Sequence, residues 1–408
     1  MKRFLLFAAV CIISLSAIAQ KATRTSVANG LFNTATTWDC NCVPVDGDNI
    51  VVNTNVSLNL DWGYSSGTLT INPGASLIKD NSGVRSVWIS MTGGLINNGT
   101  FIVDNLLAHG APIVNNDSMQ IQGWFANYFG FTNNGVVNPV DSISNMGIIN
   151  NAADGKIVGT HFLNNGIEMN QGKHIATYLL NVDTLNNTGH ITASNFQNDG
   201  LVNSDGEIDV TINFYSNHHF HNNAAGNLHV TSNFLNADSI MHTCTFYNAG
   251  AVEVGSNWMN YDTIQGPSTG HFCVHGNTWN KGKMLGAFDF CDLSNLGSGV
   301  VDLNTGTIAP TVTKCVFNCY SGIAMNSEVA VSVYPNPFTN NLIIDLGALT
   351  SGNVTIVLSD LQGRQVMSQE VQGAQTVSLN CNDLASGLYI YSIRENGIVR
   401  FAGKAIKE

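Results

Sequence analysis

One phrase recurs through the middle of this chain: a β-branched residue, two or three small or polar residues, usually Asn, then an aromatic. It reads Ile191-Thr192-Ala193-Ser194-Asn195-Phe196, then Val210-Thr211-Ile212-Asn213-Phe214, Val230-Thr231-Ser232-Asn233-Phe234 and Val254-Gly255-Ser256-Asn257-Trp258. With Phe162, Leu179 and Trp279 the aromatic or Leu position falls every 17 to 24 residues. A second phrase rides on it, Asn-Asn-Gly and its variants, as at Asn97-Asn98-Gly99, Asn133-Asn134-Gly135, Asn164-Asn165-Gly166 and Asn198-Asp199-Gly200. Asn and Gly tolerate the left-handed backbone of a tight corner, so these positions read as corners between strands of three to five residues. Such a period, with almost no helical pattern, predicts an all-β chain built on a right-handed parallel β-helix, a solenoid. Equivalent residues should then form ladders. Phe196, Phe214, Phe234 and Trp258 are expected to stack inside the coil, and Asn195, Asn213, Asn233 and Asn257 to hydrogen-bond along a corner. The uneven coil length keeps an antiparallel sandwich as the rival.

The last eighty or so residues break the rhythm. Short alternating runs, such as Val354-Thr355-Ile356-Val357-Leu358 and Leu388-Tyr389-Ile390-Tyr391-Ser392-Ile393, are separated by turns. That pattern suits a small C-terminal antiparallel β-sandwich. Pro335 and Pro337 cannot donate to a ladder, so they are expected to start an edge strand. Tyr334-Pro335-Asn336-Pro337, Asp360 with Gly363-Arg364, Gly387 with Tyr389, and Lys404 near the basic end follow in order. This series resembles the type A C-terminal sorting domain of cargo for the type IX (Por) secretion system of Bacteroidota. The resemblance implies a partnership with the secretion machinery and export across the outer membrane. An immunoglobulin-like module is the alternative reading of the same strands.

The other end carries a second signal. Lys2 and Arg3 precede an apolar run from Phe4 to Ile18 that ends in Ala17-Ile18-Ala19, the form of a secretory signal peptide cleaved before Gln20. The run is too short and too early for a membrane span, and no transmembrane segment is expected elsewhere. Residues 1–19 are thus read as leader, 20–89 as the entry and capping segment of the solenoid, and 90–307 as its repeats. Residues 308–328 read as a linker and 329–408 as the sorting domain. Residues 20–89 resemble the entry segments of Bacteroidota surface proteins, through Trp38, Gly47-Asp48-Asn49 and Asn72-Pro73-Gly74. The repeats resemble adhesin-like β-helix surface proteins.

Charged residues make up only 11% of the chain, and losing Lys2 and Arg3 with the leader would move the net charge from −12 to −14. A charge-poor, mildly acidic surface argues against nucleic acid as a partner. Of nine Cys, Cys11 lies in the leader; eight remain, an even count that suggests disulfides in an oxidising compartment. Cys40 and Cys42 look too close to pair with each other, while Cys315 and Cys319 could staple the linker.

Chemistry is sparse. Asp205, Glu207 and Asp209 alternate and should share one strand face; they are the candidates if the chain acts on sugars or binds a cation. His219 and His221 point the same way on a strand and are metal candidates, with His229 and His242 later in the sequence. No Gly-rich phosphate loop or nucleophile elbow occurs, and no cofactor is expected. Asp followed by Ser or Thr and an apolar residue recurs at Ser118, Ser142, Thr184, Ser239 and Thr263, which resembles the O-glycosylation sequon of Bacteroidota exported proteins. A turn into a strand explains the same residues without sugar. The expectation is an exported adhesin-like or scaffold protein that binds glycan or matrix without catalysis. A polysaccharide lyase or glycosidase on the same scaffold is the alternative.

Overall fold

The computed structural model describes residues 21–408 apart from 238–243, 295–298, 318, 320–331, 347–352, 361–363, 373–375 and 396–397. The expected leader, Ser239, His242, Gly363 and residues 318 and 320–328 of the linker lie outside the described residues. Two compact units divide at residues 317 and 318.

The first unit is a parallel β-solenoid. Thr184–Asn187, His190–Asn198 and Leu201–Ser204 show how a coil is made. Thr184–Asn187 forms one face, here called A. The long strand His190–Asn198 bends at Ser194 and supplies faces B and C, and Leu201–Ser204 returns to face A one coil later. Every pairing in the solenoid ladder is parallel, from Thr23–Thr25 against Asn49–Val52 to Thr313–Lys314 against Asp289–Asp292. Residues 20–89 therefore contribute coils of their own. Apart from one 3-10 turn at Ala35–Thr37, the described elements are all strands.

Most four-residue strands bury their second and fourth side chains, as the period of two requires. The second positions carry the apolar core: Leu185, Ile191 and Phe196 in one coil, all fully buried. The expected aromatic ladder is present. Phe162, Leu179, Phe196, Phe214, Phe234 and Trp258 align in register. Phe214–Phe234 and Phe234–Trp258 stack at 5.2 and 6.2 Å, while Phe196–Phe214 meet edge to face. Trp279 does not continue it. Thr278 takes the place opposite Trp258, and Trp279 lies beside Met259. The register is held by Thr278, whose hydroxyl donates to the buried Asp292 and accepts from Asp302 N.

The fourth positions hold what the sequence reading missed. On faces A and C most of them are Asn, buried inside the coil. On face A, Asn97, Asn115, Asn133, Asn151, Asn170 and Asn187 form a column. Each Nδ2 donates at 2.8 Å to the Oδ1 of the next Asn. The second Nδ2 hydrogen reaches a backbone carbonyl of the following coil, as from Asn97 to Ser118 O at 2.9 Å. A second column, Asn127, Asn145, Asn164, Asn181 and Asn198, runs along face C. Paired this way, a buried amide gains about 1 kcal/mol net per bond instead of carrying a desolvation penalty. The expected outer ladder also exists, with Asn213, Asn233 and Asn257 each donating to the Asn of the preceding coil.

The corner glycines serve a different purpose from the expected one. Gly99, Gly135, Gly166 and Gly200 are not among the residues with positive φ. Instead the coils approach so closely that a Cβ on Gly135 would stand 2.1 Å from Asp117 O, and one on Gly282 would stand 1.9 Å from Asp262 O. Close approach, not a left-handed backbone, selects glycine there.

Cys40 and Cys42 do pair, against the expectation from their spacing. Asn41 between them adopts φ 51°, which brings their Cα atoms to 5.1 Å. Cys291 pairs with Cys315 and ties the strand Asp289–Asp292 to the residue just after its partner in the following coil, Thr313–Lys314; Cys273 and Cys319 are disulfide-bonded as well.

The second unit has a three-stranded antiparallel sheet, Ser332–Tyr334, Asn341–Asp345 and Thr376–Asn380. It also has a four-stranded one, Gln365–Gln372, Asn353–Ser359, Gly387–Glu395 and Ile398–Lys407. Leu342, Ile344 and Leu379 from the first meet Ile356, Leu358 and Ile393 from the second in one core. The prolines end an edge strand instead of starting one. Ser332–Tyr334 stops before Pro335, because a proline offers no N–H to continue the ladder.

Candidate functional site

Small residues and coil length make a concavity on the solenoid. Between Phe162 and Phe196 the coils shorten to 17 residues, and a single residue (Thr160, Thr177 or Ser194) turns face B into face C. The neighbouring coils are longer. The register slips between Val137 and Val140 on one side, and between Ala193 and Asn195 on the other, where the facing strand carries Thr211 and Ile212. Such bulges push the chain outward. The short coils are left recessed, with Gly159, Ala176 and Ala193 under the bend. The result is a groove of about 300 Å³ lined by Val158–Thr160, Ile175–Thr177, Thr192–Ser194 and Thr211.

The outer row Val158, Ile175, Thr192 continues in register to Asp209 and His229, so the groove runs into a polar cluster. His190 Nε2 lies 2.9 Å from Asp209 Oδ2, and Thr192 Oγ1 is 3.3 Å from the same nitrogen. His190 Nδ1 faces Glu207 Oε2 at 3.9 Å, and His229 Nδ1 faces Asp209 Oδ1 at 3.6 Å. Partial burial would raise the Asp209 pKa, but hydrogen bonds from His190 and His229 outweigh it and hold the carboxyl at about 2. The hydrogen bond to Asp209 raises the His229 pKa against the opposing effect of burial, with further help from Glu253, Asp209 and Glu207. Asp209 is thus a standing anion between two imidazoles.

The structure brings together part of the expected triplet. Glu207 and Asp209 share the outer side of face B, but the strand begins at Glu207, and Asp205 sits in the corner before it, accepting from Asn223 Nδ2 at 2.9 Å. His219 and His221 do point outward together, on face A. His221 bonds to Asn203 Oδ1 at 3.0 Å, and the His219 ring packs against His218. Neither belongs to the His190–Glu207–Asp209 group, the one three-residue set of possible metal ligands among the described residues. His190 escaped the sequence reading because it comes from the preceding coil; its register partner Glu207 was the available signal.

A second unexpected pair lies in the core. Glu168 and His174 occupy second positions on faces A and B, flanked in register by Ile149 and Leu185 and by Ile157 and Ile191. Both are fully buried, with His174 Nδ1 2.7 Å from Glu168 Oε1. Ser118, Ser142, Thr184 and Thr263 stand in strands just after a corner, and the hydroxyls of Thr184 and Thr263 donate to the preceding Asp183 and Asp262.

In the second unit, Asn336 binds the four-stranded sheet edge through Lys404 O at 3.0 Å and Ile406 N at 2.9 Å. Tyr334 is exposed, while Tyr389 is buried with its hydroxyl on Ala385 O at 2.7 Å. Asp360 receives both the backbone and guanidinium N–H of Arg364, at 2.9 and 2.7 Å. Gly387 opens the strand that pairs with the final one. Residues 332–408 match the family described as the secretion system C-terminal sorting domain. The chain carries the sorting tail of type IX secretion cargo. Through that sorting domain the protein engages the type IX machinery and is secreted or held at the cell surface. No curated protein matches the chain. Among the described residues no helix is long and apolar enough to cross a membrane.

Proposed function

We propose that the protein is an exported solenoid that binds glycan or matrix through the groove on its B–C corner and does not cleave what it binds. The observation behind this reading is the groove itself, a trough of small and hydroxyl-bearing residues repeated at coil pitch and ending at fixed charges. A repeating polymer suits a repeating surface. Asp209, held at about 2, is a permanent anion at the end of the trough and not a proton donor; any proton-donating carboxyl would have to be Glu207 beside it, which the Glu207→Gln variant probes. The leader at residues 1–19 would be removed before Gln20, and N-terminal sequencing of the exported protein checks that.

The test is binding of the mature chain to a panel of plant, algal, host and bacterial polysaccharides, with new chain ends recorded in the same samples. Thr160→Arg with Thr177→Arg fills the trough from its exposed side and should abolish binding while leaving the fold intact. New chain ends that vanish in Glu207→Gln would replace this reading with a carbohydrate-active enzyme.

A further inference from the structure

We propose that His190, Glu207 and Asp209, with His229 completing the set, form a site for one divalent transition-metal ion of the zinc class on the outer side of face B. The ligating atoms of the first three lie within 4.8 Å of one another, and they come from two successive coils, with His229 from a third. A tetrahedral ion with bonds of about 2.0–2.2 Å keeps its ligand atoms about 3.4 Å apart. His190 faces Asp209 through Nε2 at 2.9 Å and Glu207 through Nδ1 at 3.9 Å, so binding an ion requires its ring to turn one nitrogen toward both carboxylates, and the 4.8 Å span of the set is within reach of that rotation. The donors are imidazole nitrogen and carboxylate oxygen, a mixture that suits zinc, cobalt or nickel better than calcium or magnesium, which prefer oxygen alone.

The backbone favours preorganisation. The ligands stand on strands locked in register on both sides, so their Cα positions are fixed before any ion arrives. The surrounding charges are mixed. Lys173 precedes His190 in the row that leads to Glu207 and opposes a cation, while Glu253, next in register after His229, favours one. The site stands whether or not the groove binds glycan.

The experiment titrates untagged, full-length mature protein with ZnCl2 by calorimetry and with CoCl2 by visible absorption, using CaCl2 as the contrast. One equivalent of Zn²⁺ is expected, with a Co²⁺ ligand-field band and no matching Ca²⁺ binding. Glu207→Gln is the cleanest variant, because that side chain is about half exposed and carries little of the fold. It should weaken Zn²⁺ about tenfold or more, as should His190→Gln, while Asp205→Asn should leave it unchanged. Absence of saturable Zn²⁺ binding would overturn the proposal. So would binding that survives Glu207→Gln and His190→Gln, or binding lost only with His219→Gln and His221→Gln.

Discussion

Ser204 interrupts the inner amide column of face A. Asn187 Nδ2 reaches its hydroxyl at 3.2 Å, but that hydroxyl donates to Gly206 O, and Asn222 Oδ1 in the next coil is left buried without a partner. Ser204→Asn should restore the column and raise stability by about 1 kcal/mol, read as a higher urea midpoint. The equivalent break at Ser216 on face C is already filled. Cys244, a buried thiol, approaches Asn236 Oδ1 at 3.1 Å and Ser216 O at 3.2 Å. Ser216→Asn should therefore destabilise, and equal effects at the two sites would refute this account of the columns. Glu168 and His174 give a second residue-level prediction. Replacing either alone by Leu strands the other in the core and should cost about 3–5 kcal/mol, whereas the double replacement should be neutral or stabilising. A double-mutant cycle decides it: additive losses would mean that the 2.7 Å contact carries no coupling.

At the scale of the strand and corner, the packing of coil on coil sets the tolerance of each glycine. Gly135→Ala must force its corner off Asp117 O and should cost about 3 kcal/mol. Gly130→Ala, where nothing lies within 4 Å of a new Cβ, should be neutral or slightly stabilising. Chemical denaturation of the two variants tests this, and similar losses would show that the corners are not close-packed. The period, the aromatic ladder and the outer Asn ladder were legible because bulk and polarity repeat along the chain. The buried columns were not, since Asn at the fourth strand position and Asn in a corner are neighbours in sequence, and only the pleat tells inside from outside. The glycine role was ambiguous for a related reason: a left-handed corner and a close approach select the same residue. Trp279 misled because a one-residue register choice, made by Thr278 and Asp292, is invisible to spacing. The candidate site was half legible. Glu207 and Asp209 share a strand, but His190 and His229 arrive from the coils on either side.

For the whole molecule, the His–Asp cluster predicts how stability follows pH. Asp209 is depressed from 3.8 to about 2, so its contribution is complete above about pH 4 and is lost as the pH falls through 2. That contribution is at most roughly 2 kcal/mol, less for screening by solvent. His229 is raised from 6.5, so its share of the same interaction is present below 6.5 and fades as the pH rises through the folded value. Asp209→Asn should flatten both limbs of a melting-temperature profile between pH 2 and 9; an unchanged profile would place the pH dependence elsewhere. The inner columns have one more consequence. On faces A and C the column amides donate toward the C-terminal neighbour, while the outer ladder donates the other way. No twofold axis can map such a stack onto itself. Solenoids meeting end to end through these ladders would have to align head to tail, a translation that repeats without closing and builds a filament in place of a dimer.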